Sequence, residues 1–165
     1  MEVLLLIGSD SDLEKVKPAY RTLIDFGIKV ESHVCSAHRS PDKATQLSLL
    51  AHTNGFKVII CAAGMAAHLA GVVASHTILP VIGLPLSGSA LGGQDALYST
   101  VQMPSGIPVA TVAVDGAQNA AILAIQILAL SNSNLTKNLW VYKESLKEKV
   151  ETADANLQSK LADFK

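Results

Sequence analysis

Little in this sequence is aromatic and little is charged. Phe, Trp and Tyr supply 4% of the 165 residues and Asp, Glu, Lys and Arg 16%, against 49% hydrophobic. A core so poor in rings is built from Val, Leu, Ile and Ala, which suits helices packed on a buried sheet better than a β-sandwich. Thirteen basic and fourteen acidic residues leave a formal charge of −1, so there is no basic field for nucleic acid. Two cysteines, Cys35 and Cys61, are too few for a disulfide framework and read as buried thiols in a reducing compartment. The start, MEVLLLIGSDSD, has an acid at its second position and too short an apolar run for a signal peptide. His68, His76, Pro80, Pro85 and several glycines interrupt the apolar stretch 58–86, which argues against a membrane span. A cytoplasmic protein with one main domain is expected.

What the chain does have is alternation. Residues 2–7 form a continuous apolar run ending at Gly8, the pattern of a strand buried on both faces. Leu13, Val16, Tyr20, Leu23 and Ile24 recur at helical spacing until Gly27. A second strand is predicted over 28–34. The Ser40-Pro41-Asp42 start, with a hydroxyl cap and proline at the first position, then predicts a helix to about 54–55. Further strands are predicted over 58–61, 80–84 and 109–114. The helices between and after them end near Ser75, Gln102 and Leu130. Repeated βα units imply a parallel sheet with helices on both faces, and ligands in such sheets sit outside the carboxyl ends of the strands.

The tail departs from this pattern. Leu139, Tyr142, Leu146, Val150, Ala153, Leu157, Leu161 and Phe164 fall three or four residues apart, with Lys143, Glu144, Lys147 and Glu148 on the other face. Two readings stand: a helix packed on its own domain, or one that reaches a neighbouring subunit.

The strand ends hold the reactive side chains. In GSDSD, Gly8 allows a tight turn. Ser9 and Ser11 offer hydroxyls, and the helix start offers N–H groups for a phosphate. Ordinary capping by Ser11 or Asp12 is the plainer reading of the same residues. Asp12 would repel a phosphate but suits a ribose hydroxyl. CSAHR puts His38 and Arg39 beside Ser36, where an arginine can clamp phosphate bidentately and a histidine can move protons near neutrality. Taken singly, each residue is as readily structural or part of a surface ion pair. His68, in CAAGMAAHLAG, is equally readable as structural or functional, and the glycine-rich SGSALGGQD could close over a substrate. The five histidines lack zinc-type spacing with the cysteines, and no nucleophile elbow is present.

At GSDSD, SAHRSPDK, AAHLAG, PVIGLP and YSTVQMPSGIPVAT, the chain closely resembles the N5-carboxyaminoimidazole ribonucleotide mutase (PurE) family, with the motifs in order from residue 2 to about residue 130. The resemblance implies a three-layer α/β/α sandwich with a five-stranded, parallel, flavodoxin-like sheet over 1–132. A helical extension over 133–165 would serve contacts in a homo-octamer. It also implies a carboxyl shift from the exocyclic nitrogen to a ring carbon of a phosphorylated aminoimidazole ribonucleotide, with no ATP, metal or organic cofactor. Carried over by position, Ser9, Ser11, Ser36 and Arg39 bind the phosphate, with Gly8 and Ala37 beside them, and Asp12 binds the ribose. His38 is the general acid and base. Gly64, Met65, Ala66, His68 and Leu69 wall the pocket that retains carbon dioxide. The family commonly reads G-G-A-A-H-L-P-G where Met65 and Ala70 stand here.

Two alternatives remain. A related carboxylase uses free carbon dioxide and carries lysine after its S-A-H, where this chain has Arg39. A non-enzymatic flavin or nucleotide module is the other, and the lack of Trp or Tyr near GSDSD and CSAHR argues against flavin stacking.

Overall fold

The computed structural model describes residues 2–162 and 164. β1 (Val3–Ile7) is buried along its whole length and pairs in parallel with a strand on each side. Its neighbours are β2 (Val30–Val34) and β3 (Val58–Gly64). β4 (Val81–Leu86) and β5 (Ala110–Thr111) complete the order β2-β1-β3-β4-β5. The helices between strands are α1 (Leu13–Asp25), α2 (Pro41–Ala51), α3 (Leu69–Ser75) and α4 (Gln94–Val101). α5 (Ala117–Ala129) follows β5.

The chain winds one way from β1 to β2 and then reverses to place β3 on the other side of β1. Because parallel crossovers are right-handed, that reversal puts α1 on the opposite face of the sheet from α2, α3 and α4. A core on the latter face joins Leu4, Leu6, Ile59 and Cys61 of the sheet to Ala44 and Ala51 of α2 and Leu69, Ala70 and Val73 of α3. These side chains are small or branched, so the helices sit close to the sheet, as the shortage of aromatics predicts. Cys35 and Cys61 are free and buried. Burial raises both thiols above their ordinary range; Lys43 and Ser40 oppose the rise at Cys35, and the Cys35 sulfur adds to it at Cys61.

The five-stranded parallel α/β fold agrees with the sequence reading, while several element bounds differ. β3 continues to Gly64 instead of stopping at Cys61, because Ala62, Ala63 and Gly64 remain paired with Leu84, Pro85 and Leu86. The predicted fifth strand over 109–114 keeps only two residues. Pro85 explains the loss: its carbonyl accepts from the Asp115 N–H at 2.9 Å, but it has no N–H to offer β5 on the same side. α2 stops at Ala51, before the expected end.

Contacts divide the chain into two compact units, Met1–Leu128 and Ala129–Lys165. In the second, α6 (Ser133–Ala162) starts six residues before the first position of the predicted apolar spacing at Leu139. Its start is fixed by Asn132, whose Oδ1 accepts from the N–H groups of Asn134 and Leu135 at 3.1 and 3.2 Å. Phe164 lies beyond the helix, and Asp163 and Lys165 of the predicted extension fall outside the described residues.

Gly83 shows how tightly α4 meets the sheet. A Cβ there would lie 2.3 Å from Thr100 Cγ2 and 2.9 Å from Val109 Cγ1. Gly83→Ala is therefore expected to lose about 1–3 kcal/mol of stability by overpacking, measured by urea unfolding. Thr100→Ser in the same chain, which removes the clashing methyl, should recover part of it. An unchanged midpoint in the single variant would contradict this packing.

Candidate active site

The carboxyl ends of β1, β2, β3 and β4 surround a cavity of about 650 Å³ beside the point where the winding reverses. The turn after β1 supplies Gly8, Ser9, Ser11 and Asp12 to its wall. Ser9 is extended (φ −151°, ψ 148°) and opens a 3₁₀ turn over Asp10–Asp12. Its Oγ lies 2.8 Å from Ser11 Oγ and accepts from the Ser11 N–H at 3.4 Å, which sets two hydroxyls side by side. Asp12 precedes α1 but makes no side-chain cap. Burial pushes its carboxyl above the ordinary range; Lys15 opposes this, while Asp10 and Asp115 add to it.

The turn after β2 is closed by its own serines. The Ser40 N–H and Oγ donate to the Ser36 carbonyl at 2.9 and 3.1 Å, and the Ser36 N–H donates to Ser40 Oγ at 3.0 Å. Ser40 is thus the residue before α2, as expected, but its hydroxyl turns back to Ser36 instead of capping the helix. Ser36 Oγ accepts from the Arg39 N–H at 3.2 Å. The knot leaves Ala37, His38 and Arg39 on the cavity wall, with His38 and Arg39 exposed.

The turn after β3 is tighter still. Gly64 brings the backbone so close to β4 that a Cβ would meet the Leu86 carbonyl at 3.2 Å. Met65 follows in the left-handed region (φ 56°), a conformation that costs a residue with a Cβ about 1–2 kcal/mol. Two short-range bonds then coil the chain: the Ala67 N–H donates to the Met65 carbonyl at 2.9 Å and the His68 N–H to the Ala66 carbonyl at 2.8 Å. The outcome is the placement of His68, whose Nδ1 lies 2.9 Å from His38 Nε2. The rings meet edge to face, with centroids 5.0 Å apart and planes 73° apart. One nitrogen of this pair donates and the other accepts, so each ring fixes the other's tautomer.

Every residue named for the site from the sequence lines this one cavity: the four from the first turn, Ser36 to Arg39 from the second, and Gly64, Met65, Ala66, His68 and Leu69 from the third. A fourth wall comes from the start of SGSALGGQD, the segment expected to close over a substrate, although its first two residues were not named for the site. Ser87 and Gly88, after β4, also line the cavity. Ser87 Oγ donates to Asp115 Oδ2 at 2.5 Å and its N–H donates to Asp115 Oδ1 at 3.0 Å. Lys15 Nζ donates to Ser87 Oγ at 2.8 Å and to the Ser87 carbonyl. Burial alone would raise the Asp115 carboxyl. The two Ser87 hydrogen bonds and Lys15 outweigh it and hold the group below the ordinary carboxylate range. Ser87 could have been found from its place just past a strand end. Lys15 and Asp115 are a hundred residues apart in the chain, and only the fold joins them. Among the described residues, no three His, Cys, Asp or Glu side chains gather in a way that could hold a metal ion.

Hydroxyls, a guanidinium, a carboxylate and a pair of imidazoles thus line one space. Comparison with known proteins points the same way. The family profile described as AIR carboxylase matches residues 2–149. An N5-carboxyaminoimidazole ribonucleotide mutase of Pyrococcus horikoshii is 49% identical over 154 residues, covering 93% of this chain and 87% of that protein. A phosphoribosylaminoimidazole carboxylase of Schizosaccharomyces pombe is 48% identical over 151 residues, covering 91% of this chain but 27% of that longer protein. The crystal structure of Treponema denticola PurE is similar with a TM-score of 0.83 at 30% identity, over 94% of this chain and 97% of that one. With the profile matched over most of its length, the chain belongs to the AIR carboxylase family.

Proposed function

We propose that the protein is an N5-carboxyaminoimidazole ribonucleotide mutase, a cofactor-independent isomerase of purine biosynthesis. It would move the carboxyl group from the exocyclic nitrogen of the ribonucleotide to a ring carbon. The observation that carries this reading is the His38–His68 pair, 2.9 Å apart, on the wall of a cavity also lined by Ser9, Ser11, Asp12, Ser36 and Arg39. Relatives of similar length named for this reaction support it.

In this reading the serine hydroxyls and Arg39 hold the phosphate, and Asp12 holds the ribose. The bond between nitrogen and the carboxyl carbon breaks, its electron pair stays on nitrogen, and His38 gives nitrogen a proton as carbon dioxide leaves. The ring carbon then attacks carbon dioxide and forms the new carbon–carbon bond. His38 takes the displaced ring proton and ends as it began. His68 faces His38 through the whole cycle and keeps its ring aimed. Holding the fragment beside the ring makes recapture effectively unimolecular.

The sibling carboxylase reaction is the second reading, because relatives named for it share 48% identity. Arg39 and the A-A-H-L element favour the mutase.

The same reading places the enzyme in the cytoplasm as a homo-octamer, with residues 1–132 as the catalytic domain and 133–165 as an extension for subunit contacts. Exposed apolar side chains on α6 support the last point: Trp140, Val141 and Val150 are 73%, 71% and 70% exposed in the single chain. Two free, buried thiols fit a reducing setting. No helix among the described residues is long and apolar enough to cross a membrane.

His38→Asn is expected to keep ribonucleotide affinity and lose about 10²- to 10⁴-fold in turnover, read by direct assay and calorimetry. Near-normal turnover would remove His38 from the mechanism. With labelled bicarbonate present, a mutase transfers mostly its substrate's own carboxyl, whereas full label in the product would favour the carboxylase. Removing residues 139–165 should yield a smaller assembly by light scattering; an unchanged number of subunits would contradict the role given to α6.

A further inference from the structure

Lys15 and Asp115 carry full charges next to the cavity without lining it. Lys15 stands on α1, three residues after Asp12, and its ammonium reaches Ser87, seventy-two residues further along the chain. It donates to Ser87 Oγ at 2.8 Å and to the Ser87 carbonyl. From the other side, Asp115 accepts the Ser87 N–H at 3.0 Å and the Ser87 O–H at 2.5 Å. Every polar group of Ser87 is therefore engaged by a charged side chain. Its hydroxyl gives its single proton to Asp115 and has none left to donate to a phosphate. Ser87 lines the cavity as an anchor, not as a phosphate ligand.

The anchor is fixed on its flanks. Asp115 sits at φ 55°, a region aspartate tolerates, and its N–H donates to the Pro85 carbonyl at 2.9 Å. A Cβ at Gly88 would lie 3.4 Å from Lys15 Nζ, and one at Gly93 would lie 3.2 Å from Ser87 Cα. Lys15 comes within 4.0 Å of Asp115 Oδ1, yet its hydrogen bonds go to Ser87. Asp12 makes no side-chain cap to α1, so its carboxyl lines the cavity near a cation that does not cover it. The other groups that bear on Asp12 are Asp10 of its own turn and Asp115 before α5. His38, Arg39 and His68 stand on the remaining walls. Burial raises the Asp12 carboxyl, Lys15 lowers it, and Asp10 and Asp115 raise it. One ammonium thus opposes both burial and two neighbouring carboxylates.

Resting on the reading in which Asp12 holds the ribose, we infer that Lys15 is a positioning residue for the ribonucleotide. Anchored on Ser87, its ammonium supplies the counter-charge that lets Asp12 meet the ribose hydroxyls as a carboxylate. The bonds through Ser87 to Asp115 keep that ammonium from closing over Asp12 itself. An ionised carboxylate accepts from two hydroxyls with both oxygens, whereas a protonated one gives up part of that capacity. Lys15 therefore extends ribose binding to lower pH. Asp115 acts in the opposite sense, as a like charge near Asp12 and as the partner that restrains Lys15.

The test is calorimetric binding of 5-aminoimidazole ribonucleotide, which carries the ribose and phosphate but no carboxyl group, to the full chain between about pH 8 and about pH 5. The ligand phosphate and His38 titrate in every variant, so the quantity read is the ratio of each variant's Kd to that of wild type. For Lys15→Met this ratio is expected to rise about threefold or more as the pH falls. For Asp115→Asn, which keeps the shape and tolerates the same backbone conformation, it is expected to fall over the same range. Lys15→Arg retains the charge and should give a flat ratio. General damage to the wall would move the Lys15→Met and Asp115→Asn ratios the same way. Movement in one direction in both, or a flat ratio in Lys15→Met, overturns the role of Lys15 and leaves the mutase reading standing. A wild-type protein that does not bind the ribonucleotide overturns that reading, and the inference with it.

Discussion

Everything at the cavity depends on β1 being a strand with partners on both sides. Val3 to Ile7 pair in register with Val30 to Val34 and with Val58 to Ala62, so three strand ends are fixed side by side by backbone hydrogen bonds. The price is a segment with no polar side chain, buried above and below. In exchange, the turns after β1, β2 and β3 open at the same edge and on the same level. Reversal of the winding parts the helices there and leaves room for a ligand between them.

The turns are stiffened with few charges. Ser36 and Ser40 satisfy each other's backbone and hydroxyl groups, Ser9 and Ser11 share a hydrogen bond, and His38 and His68 join two loops that share no covalent proximity. Each of these contacts uses neutral or titratable groups, which lose less on leaving water than fixed charges do. The low charged content of the sequence is consistent with this construction. Full charges meet where Lys15 and Asp115 gather around Ser87, at the side of the cavity where the glycine-rich segment leaves β4.

Much of this was legible in the chain. Buried strands announce themselves as apolar runs, so β1 and the βα alternation could be read directly, and the strand-end rule then pointed to Ser9, Asp12, His38, Arg39 and His68. Errors arose where pairing overrides composition. Ala62 to Gly64 look like loop and are strand, because β4 offers them hydrogen bonds. Residues 109–114 look like strand and mostly are not, because Pro85 withholds one. The hydroxyl of Ser40 has a local alternative to capping that its sequence position does not reveal. The Lys15–Ser87–Asp115 contact is a property of topology, and no local pattern encodes it.

The sealed position of the two cysteines has a practical side. Each sulfur lies within the packed interior, and burial raises both thiols above their ordinary range, which disfavours the thiolate an alkylating reagent needs. Modification of Cys61 is therefore a clock for opening of the core: whatever exposes this sulfur, in the middle strand β3, must first part α2 and α3 from it.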